Sequence, residues 1–219
     1  MSEHDHHGED GHQHPGTQPD SRPGYYAQRA RAIEALLVEK GVVTREDITR
    51  QIDYLESRSP ADGARLVARA WLDPDFKARL LANAKAAAAE LEIDASGMNE
   101  FVVLENTDRV HHLVVCTLCS CYPRPILGRP PDWYKSLNYR SRAVVEPRAV
   151  MGEFGLELAE DLEVHVHDST ADVRYLVVPR RPAGTEGMSE EQLAALVTRD
   201  SMIGVTEALE QHQAVGSRG

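Results

Sequence analysis

Nowhere in its 219 residues does the sequence offer the roughly eighteen consecutive apolar side chains that a membrane-spanning helix needs. Its first residues are polar and acidic, with no apolar stretch of the kind a secretory signal requires. Basic side chains are also short: 24 Lys and Arg against 35 Asp and Glu leave a net charge of −11. Such a surface repels a phosphate backbone, so a nucleic acid is not expected as a partner. With neither an apolar span nor a signal stretch, no membrane is expected either, and the cytoplasm is the expected location. Cysteine is scarcer still. There are three, Cys116, Cys119 and Cys121, all within six residues. A disulfide framework spreads an even number of cysteines to tie distant loops, and this arrangement ties nothing. Three thiols in one loop point to chemistry. What remains is 42% hydrophobic and 27% charged, the composition of a globular chain with a sizeable core.

Residues 1–24 hold one apolar side chain, Met1, beside five histidines (His4, His6, His7, His12 and His14), three prolines and four glycines. Nothing there offsets the entropy of ordering, so a disordered tail is expected, with loose metal binding by the histidines as its one chemical possibility. From Tyr25 to about Leu91 the pattern is helical. Ile33, Leu36 and Leu37 lead to Gly41, a helix stop. Thr44 and Asp47 form a capping-box pattern ahead of Ile48, Ile52 and Leu55. Ser59-Pro60 and Asp73-Pro74 are helix starts, and 77–91 is rich in alanine. About four helices are expected.

Beyond Asp94 the character changes. Phe101–Leu104, Leu113–Val115, Val164–Val166 and Val173–Val178 are β-prone, and Ser189 to about Leu209 reads as one capped helix. Residues 122–131 carry four prolines and one glycine and predict irregular chain. The fold class is therefore α+β: a helical arm over 25–93, then a mixed α/β layered domain over 94–209 carrying the cysteine loop, with a short tail at 210–219.

The loop reads Val115-Cys116-Thr117-Leu118-Cys119-Ser120-Cys121-Tyr122-Pro123. Cys-x-x-Cys by itself is shared by zinc ribbons and thiol oxidoreductases. A structural zinc site needs a second ligand pair. His111 or His112 could supply a fourth ligand, but both sit on the approaching strand and are expected to pack or face solvent. The distinctive part is Cys119-Ser120-Cys121. Thiolates one residue apart turn the amide nitrogens of Ser120 and Cys121 inward, so a metal held by both sulfurs would have those nitrogens near its equatorial plane. Cys116 would approach axially and leave one octahedral position open. Thiolates with ionised amides make a strong-field anionic set, suited to a low-spin trivalent ion more than to zinc.

This stretch resembles the metal claw of the nitrile hydratase α subunit, shared with the thiocyanate hydrolase γ subunit. The resemblance extends over roughly residues 28–205. It takes in Glu105-Asn106-Thr107, Pro130-Pro131-Asp132-Trp133-Tyr134-Lys135, Tyr139-Arg140-Ser141-Arg142, Glu153-Phe154-Gly155, Arg181-Pro182-Ala183-Gly184-Thr185 and Val197 through Gly204. It implies that Cys116, Cys119 and Cys121 bind the metal through sulfur and that the Ser120 and Cys121 amides complete the ligands. It also implies oxidation of Cys119 to a sulfinate and Cys121 to a sulfenate. Thr117, behind the ligands, resembles the cobalt class, hence one cobalt(III) per chain, with iron(III) as the alternative. The activity implied is hydration of nitriles to amides, with Cys121 as the catalytic residue. The partners implied are a β-type subunit supplying arginines, in a heterotetramer, and an activator or metallochaperone that loads the metal.

Two features depart from the nitrile hydratase pattern. Arg124 stands in Cys-Tyr-Pro-Arg-Pro where those enzymes usually carry tryptophan, and this form resembles thiocyanate hydrolase, whose substrate is an anion. Arg124 is thus a candidate substrate contact, or else a surface arginine paired with an acid. The Gln-Gly-Glu segment expected near Ser96–Asn99 is also not legible. The remaining motifs favour nitrile hydratase over thiocyanate hydrolase, with a structural zinc module as a third reading. Trp133 and Tyr134 are expected to pack. Arg140 and Arg142 are expected to brace the claw loop or meet acids of a partner. His165 and His167 share one face of a strand without a third ligand nearby in sequence.

Overall fold

The computed structural model describes residues 24–211; the tails expected at either end, with the five N-terminal histidines, fall almost wholly outside the described residues. Five helices come first: α1 (Gly24–Glu39), α2 (Arg45–Glu56), α3 (Ala61–Leu72), α4 (Pro74–Ala82) and α5 (Ala84–Glu90), one more than expected. Their ends follow local chemistry. Gly41 has φ +65° just beyond α1. Thr44 and Asp47 close a reciprocal capping box on α2. Asp73 accepts from the Asp75 and Phe76 amides ahead of α4, with Pro74 at its first turn. The extra helix arises because Asn83 caps the alanine run afresh, its side chain accepting from the Ala86 amide.

These helices are of two kinds. Neither α1 nor α2 has a buried residue, and Tyr25, Tyr26, Ile33, Leu36, Leu37, Ile52 and Leu55 stand exposed along them. In contrast α3, α4 and α5 bury Leu66, Val67, Phe76, Leu80, Ala87 and Ala88 in the same hydrophobic core as the strands. Gly63 marks how close α3 comes to its neighbours: a Cβ there would press on the side chains of Met202 and Leu127.

Four strands follow: β1 (Glu100–Glu105), β2 (Val110–Val115), β3 (Glu163–Asp168) and β4 (Val173–Val178). They form two parallel pairs, β1 with β4 and β2 with β3, Val115 lying opposite Asp168. Parallel neighbours require a long crossover. Between β2 and β3 it carries the cysteine loop and the short helices α6 (Arg124–Leu127), α7 (Asp132–Lys135), α8 (Leu137–Arg142) and α9 (Pro147–Glu153).

Two expectations require correction. The proline-rich stretch is not wholly irregular, since Pro125 in the first turn of α6 gives up only an N–H that a helix start leaves unpaired. The single helix expected from Ser189 is two, α10 (Glu190–Ala194) and α11 (Arg199–Ile203). Thr198 breaks the run by capping α11 in a second capping box with Ser201, and Gly204 at φ +89° ends it. That glycine is required. A Cβ at position 204 would overlap the His112 carbonyl of β2, so α11 can end against the strand only through bare backbone. No helix among the described residues is long and apolar enough to cross a membrane.

Candidate metal centre

β2 runs through the core, with Leu113, Val114 and Val115 buried, and delivers the chain into the cysteine loop at its C-terminal end. There the three thiols converge, their sulfurs all within 4.8 Å of one another. Cys119 Sγ lies 3.3 Å from Cys116 Sγ and 3.1 Å from Cys121 Sγ. Cys116 is buried beneath, Cys119 is exposed and Cys121 is between the two. The Cys119 amide donates to Cys116 Sγ at 3.3 Å. The Ser120 and Cys121 amides add to the forces that favour the ionised Cys119 sulfur. Three sulfurs within six residues of chain are a donor set for a thiophilic metal. Neither His111 nor His112 joins them in a metal-sized cluster among the described residues.

Crowding splits the titration of the thiols. Donation from Cys121, then from Cys116 and the two amides, holds the Cys119 thiol below its ordinary range. Burial, with Cys119 and Cys116 alongside, pushes Cys121 up to about 12, opposed by the positive charge of Arg174 on β4. Cys119 is thus easier to ionise than Cys121, whose proton is held more tightly than an ordinary thiol's.

The loop is braced from three sides. From α8, Arg140 donates to the carbonyls of Cys116 (3.1 Å) and Thr117 (2.8 Å). Tyr134 of α7, fully buried, donates its hydroxyl to the Cys121 carbonyl at 2.8 Å, and Tyr139 donates to the Val114 carbonyl at 2.7 Å. From the end of β3, the Asp168 carboxylate accepts from the Thr117 amide at 2.9 Å and from the Thr117 hydroxyl at 2.5 Å. Both ends of the claw are therefore tied to rigid elements before any metal is considered.

The remaining sequence candidates are placed as follows. Trp133 and Tyr134 pack with Tyr139 and Phe154 in an aromatic cluster with ring separations of 4.7–5.9 Å. Arg140 braces the loop as expected, whereas Arg142 does not: it pairs with Glu146 and Glu153 of its own chain. Arg124 is exposed at the start of α6. His111 is buried on the far face of β2, where its Nε2 donates to the Gly204 carbonyl at 2.7 Å and its Nδ1 meets the Asn106 amide at 3.1 Å. His165 and His167 do have a third imidazole beside them, His112, which the β2–β3 register brings over.

Sequence reasoning missed Asp168 and Arg174. Asp168 ends a strand, and only the β2–β3 pairing reveals that it faces the cysteine loop. Arg174 lies within β4, and its influence on Cys121 is through charge alone.

Comparison with known proteins agrees with this geometry. A family model described as nitrile hydratase, alpha chain, matches residues 24–206. The chain is 52% identical over 192 residues to the low-molecular weight cobalt-containing nitrile hydratase subunit alpha of Rhodococcus rhodochrous, covering 87% of this chain and 92% of that one. It is 44% identical over 185 residues to thiocyanate hydrolase subunit gamma of Thiobacillus thioparus, covering 80% of this chain and 76% of that one. Among solved structures, a double mutant of the iron-type nitrile hydratase of Comamonas testosteroni Ni1 superposes with a TM-score of 0.80 at 44% identity, covering 86% of this chain and 93% of that chain.

Proposed function

The chain belongs to the nitrile hydratase α-chain family, and on that premise we propose that it is the metal-bearing subunit of a nitrile hydratase that converts nitriles to amides. The observation that carries the reading is the convergence of the Cys116, Cys119 and Cys121 sulfurs at the end of β2, with the Ser120 and Cys121 amide nitrogens beside them in sequence. A metal held there would bind to the three sulfurs and those two nitrogens. Cobalt(III) is favoured over iron(III) by Thr117 and by the 52% identical cobalt-containing relative. When bound, such an ion supplies Lewis acidity toward nitrile or water.

The reaction adds water across the carbon–nitrogen triple bond. Oxygen goes to carbon, protons go to nitrogen, and no net oxidation occurs. In this reading the chain's own groups do three things. Arg140, Asp168 and Tyr134 hold the loop still, so that its donor atoms keep their spacing. Cys119 and Cys121 are oxidised to sulfinate and sulfenate, and the Cys121 oxygen serves as nucleophile or base beside the substrate. Arg174 provides a positive charge at Cys121 from within the chain. The remaining cations come from a β-type partner, because anionic oxygens in such a site need charge-assisted donors. The exposed apolar residues of α1 and α2 suit that partner, and a heterotetramer follows from two such pairs.

Thiocyanate hydrolysis is the second reading. Exposed Arg124 after Pro123 favours it, as does the 44% identical γ subunit. The test is the purified heteromer, grown with cobalt and analysed by plasma mass spectrometry, then offered acrylonitrile or thiocyanate. One cobalt per chain and acrylamide formation are expected. Zinc with unmodified cysteines overturns the enzyme reading, and thiocyanate turnover alone transfers it to the second.

A further inference from the structure

Alternate residues of a strand share a face, so β3 presents Glu163, His165 and His167 on one side. The parallel register sets His112 of β2 directly opposite His165, and their rings meet edge to face at 5.6 Å. His112 Nδ1 and His167 Nε2 are only 2.8 Å apart. Tyr175 of β4 backs the His167 ring at 5.3 Å. Three of the four imidazoles among the described residues thus occupy one patch, while the fourth, His111, is satisfied on the opposite face.

We infer that His112, His165 and His167 form a second metal site, separate from the thiol cluster, for a divalent transition ion such as zinc, nickel or copper. Neutral imidazole is the ligand these ions prefer, and the absence of sulfur and the single nearby carboxylate disfavour both soft ions and calcium. The geometry fits. With metal–nitrogen bonds of about 2.1 Å, nitrogens 2.8 Å apart subtend about 85° at an ion, close to the angle between adjacent ligands of a six-coordinate site.

His165 is the adjustable member. Its Nε2 now meets Glu163 at 3.2 Å, and both side chains are at least half exposed, at 50% and 70%, so no packing holds the ring away from the pair. Turning toward His112 and His167 leaves Glu163 free to follow as a fourth ligand or to accept the ring's other N–H. Burial, with the neighbouring imidazoles, lowers His112 to about 4, and burial likewise lowers His167, which favours the neutral rings a metal needs. The hydrogen shared between the facing nitrogens has to shift to another ring nitrogen when the ion binds. The site cannot share the claw's ion. His112 lies four residues before Cys116, about 13 Å away along a strand.

The alternative is that the 2.8 Å contact is only an N–H···N hydrogen bond, and titration separates the two. The protein is used with its claw metal in place and with His4, His6, His7, His12 and His14 replaced by alanine, so that the N-terminal histidines do not compete. Zinc is then titrated against a chromogenic chelator, and its coordination is read by X-ray absorption. One further equivalent per chain is expected, bound by imidazole nitrogen without sulfur and weakened roughly tenfold or more by His165→Ala and by His167→Ala. His165 is exposed, so its substitution tests the site without threatening the fold. No further equivalent, an equivalent bound through sulfur, or an affinity that both substitutions leave unchanged overturns the proposal.

Discussion

Asp168 is where the sheet holds the claw, and Asp168→Asn is the most informative single change. One carboxylate oxygen accepts from the Thr117 amide and the other from its hydroxyl. Asparagine is almost the same size but keeps one acceptor. Its NH₂ group must face either the hydroxyl, which can rotate away, or the backbone N–H, which cannot. A hydrogen bond to a charged group contributes about 1.5–3 kcal/mol. Asp168 is exposed, so water competes and the lower figure applies, about 1.5 kcal/mol. That is roughly a tenfold change in the population of the ordered loop, the low end of the roughly 10–100-fold cost of disturbing a group behind a metal ligand. Metal release to a chelator should therefore quicken about tenfold, and activity should fall with occupancy. Thr117→Val should produce a smaller loss, and Thr117→Ser almost none. Because the two residues act on each other, the double change Asp168→Asn with Thr117→Val should cost less than the sum of the two singles. Wild-type metal retention in Asp168→Asn, or a strictly additive cycle, would show that the clamp does not hold the claw.

Two further outcomes follow from the same description. Cys121→Ser preserves volume but exchanges a soft thiolate for a hydroxyl that barely ionises, so nearly all hydration activity and much of the bound metal should be lost while the heteromer still assembles; retained turnover would remove Cys121 from the mechanism. Gly204→Ala forces a left-handed alanine, at about 1–2 kcal/mol, and drives its Cβ into the His112 carbonyl. The combined loss should reach about 3 kcal/mol and lower the Tm by roughly 6–12 °C, and an unchanged melting curve would contradict the close approach of α11 to β2.

What could be read from the chain beforehand was whatever local chemistry decides. The claw was legible because its thiols are neighbours in sequence, and the starts of α2 and α4 because a capping side chain acts within three residues. The break between α10 and α11 escaped because Thr198 and Ser201 sit in an otherwise helical pattern, where a capping box competes with continuing the helix. Arg142 was assigned beyond its own loop because nothing in an Arg-Ser-Arg spacing tells which arginine faces the claw. The clamp by Asp168 and the meeting of His112 with His165 and His167 depend on register. A strand pattern fixes which face a residue takes but not which strand lies beside it.

The same register imposes an order in time. Thr117 and Asp168 are 51 residues apart, and their strands pair in parallel, a connection that local contacts cannot nucleate. On a ribosome delivering about 5–20 residues per second, the thiols emerge several seconds before the strand that will hold their loop. Through that interval three reactive sulfurs lie on an unfinished scaffold, with neither Asp168 nor Arg174 yet in place. Metal captured then would find a loop whose sulfurs and amides are not yet fixed in spacing, so selective loading belongs after β3 has docked. The crossover that builds the centre also schedules it.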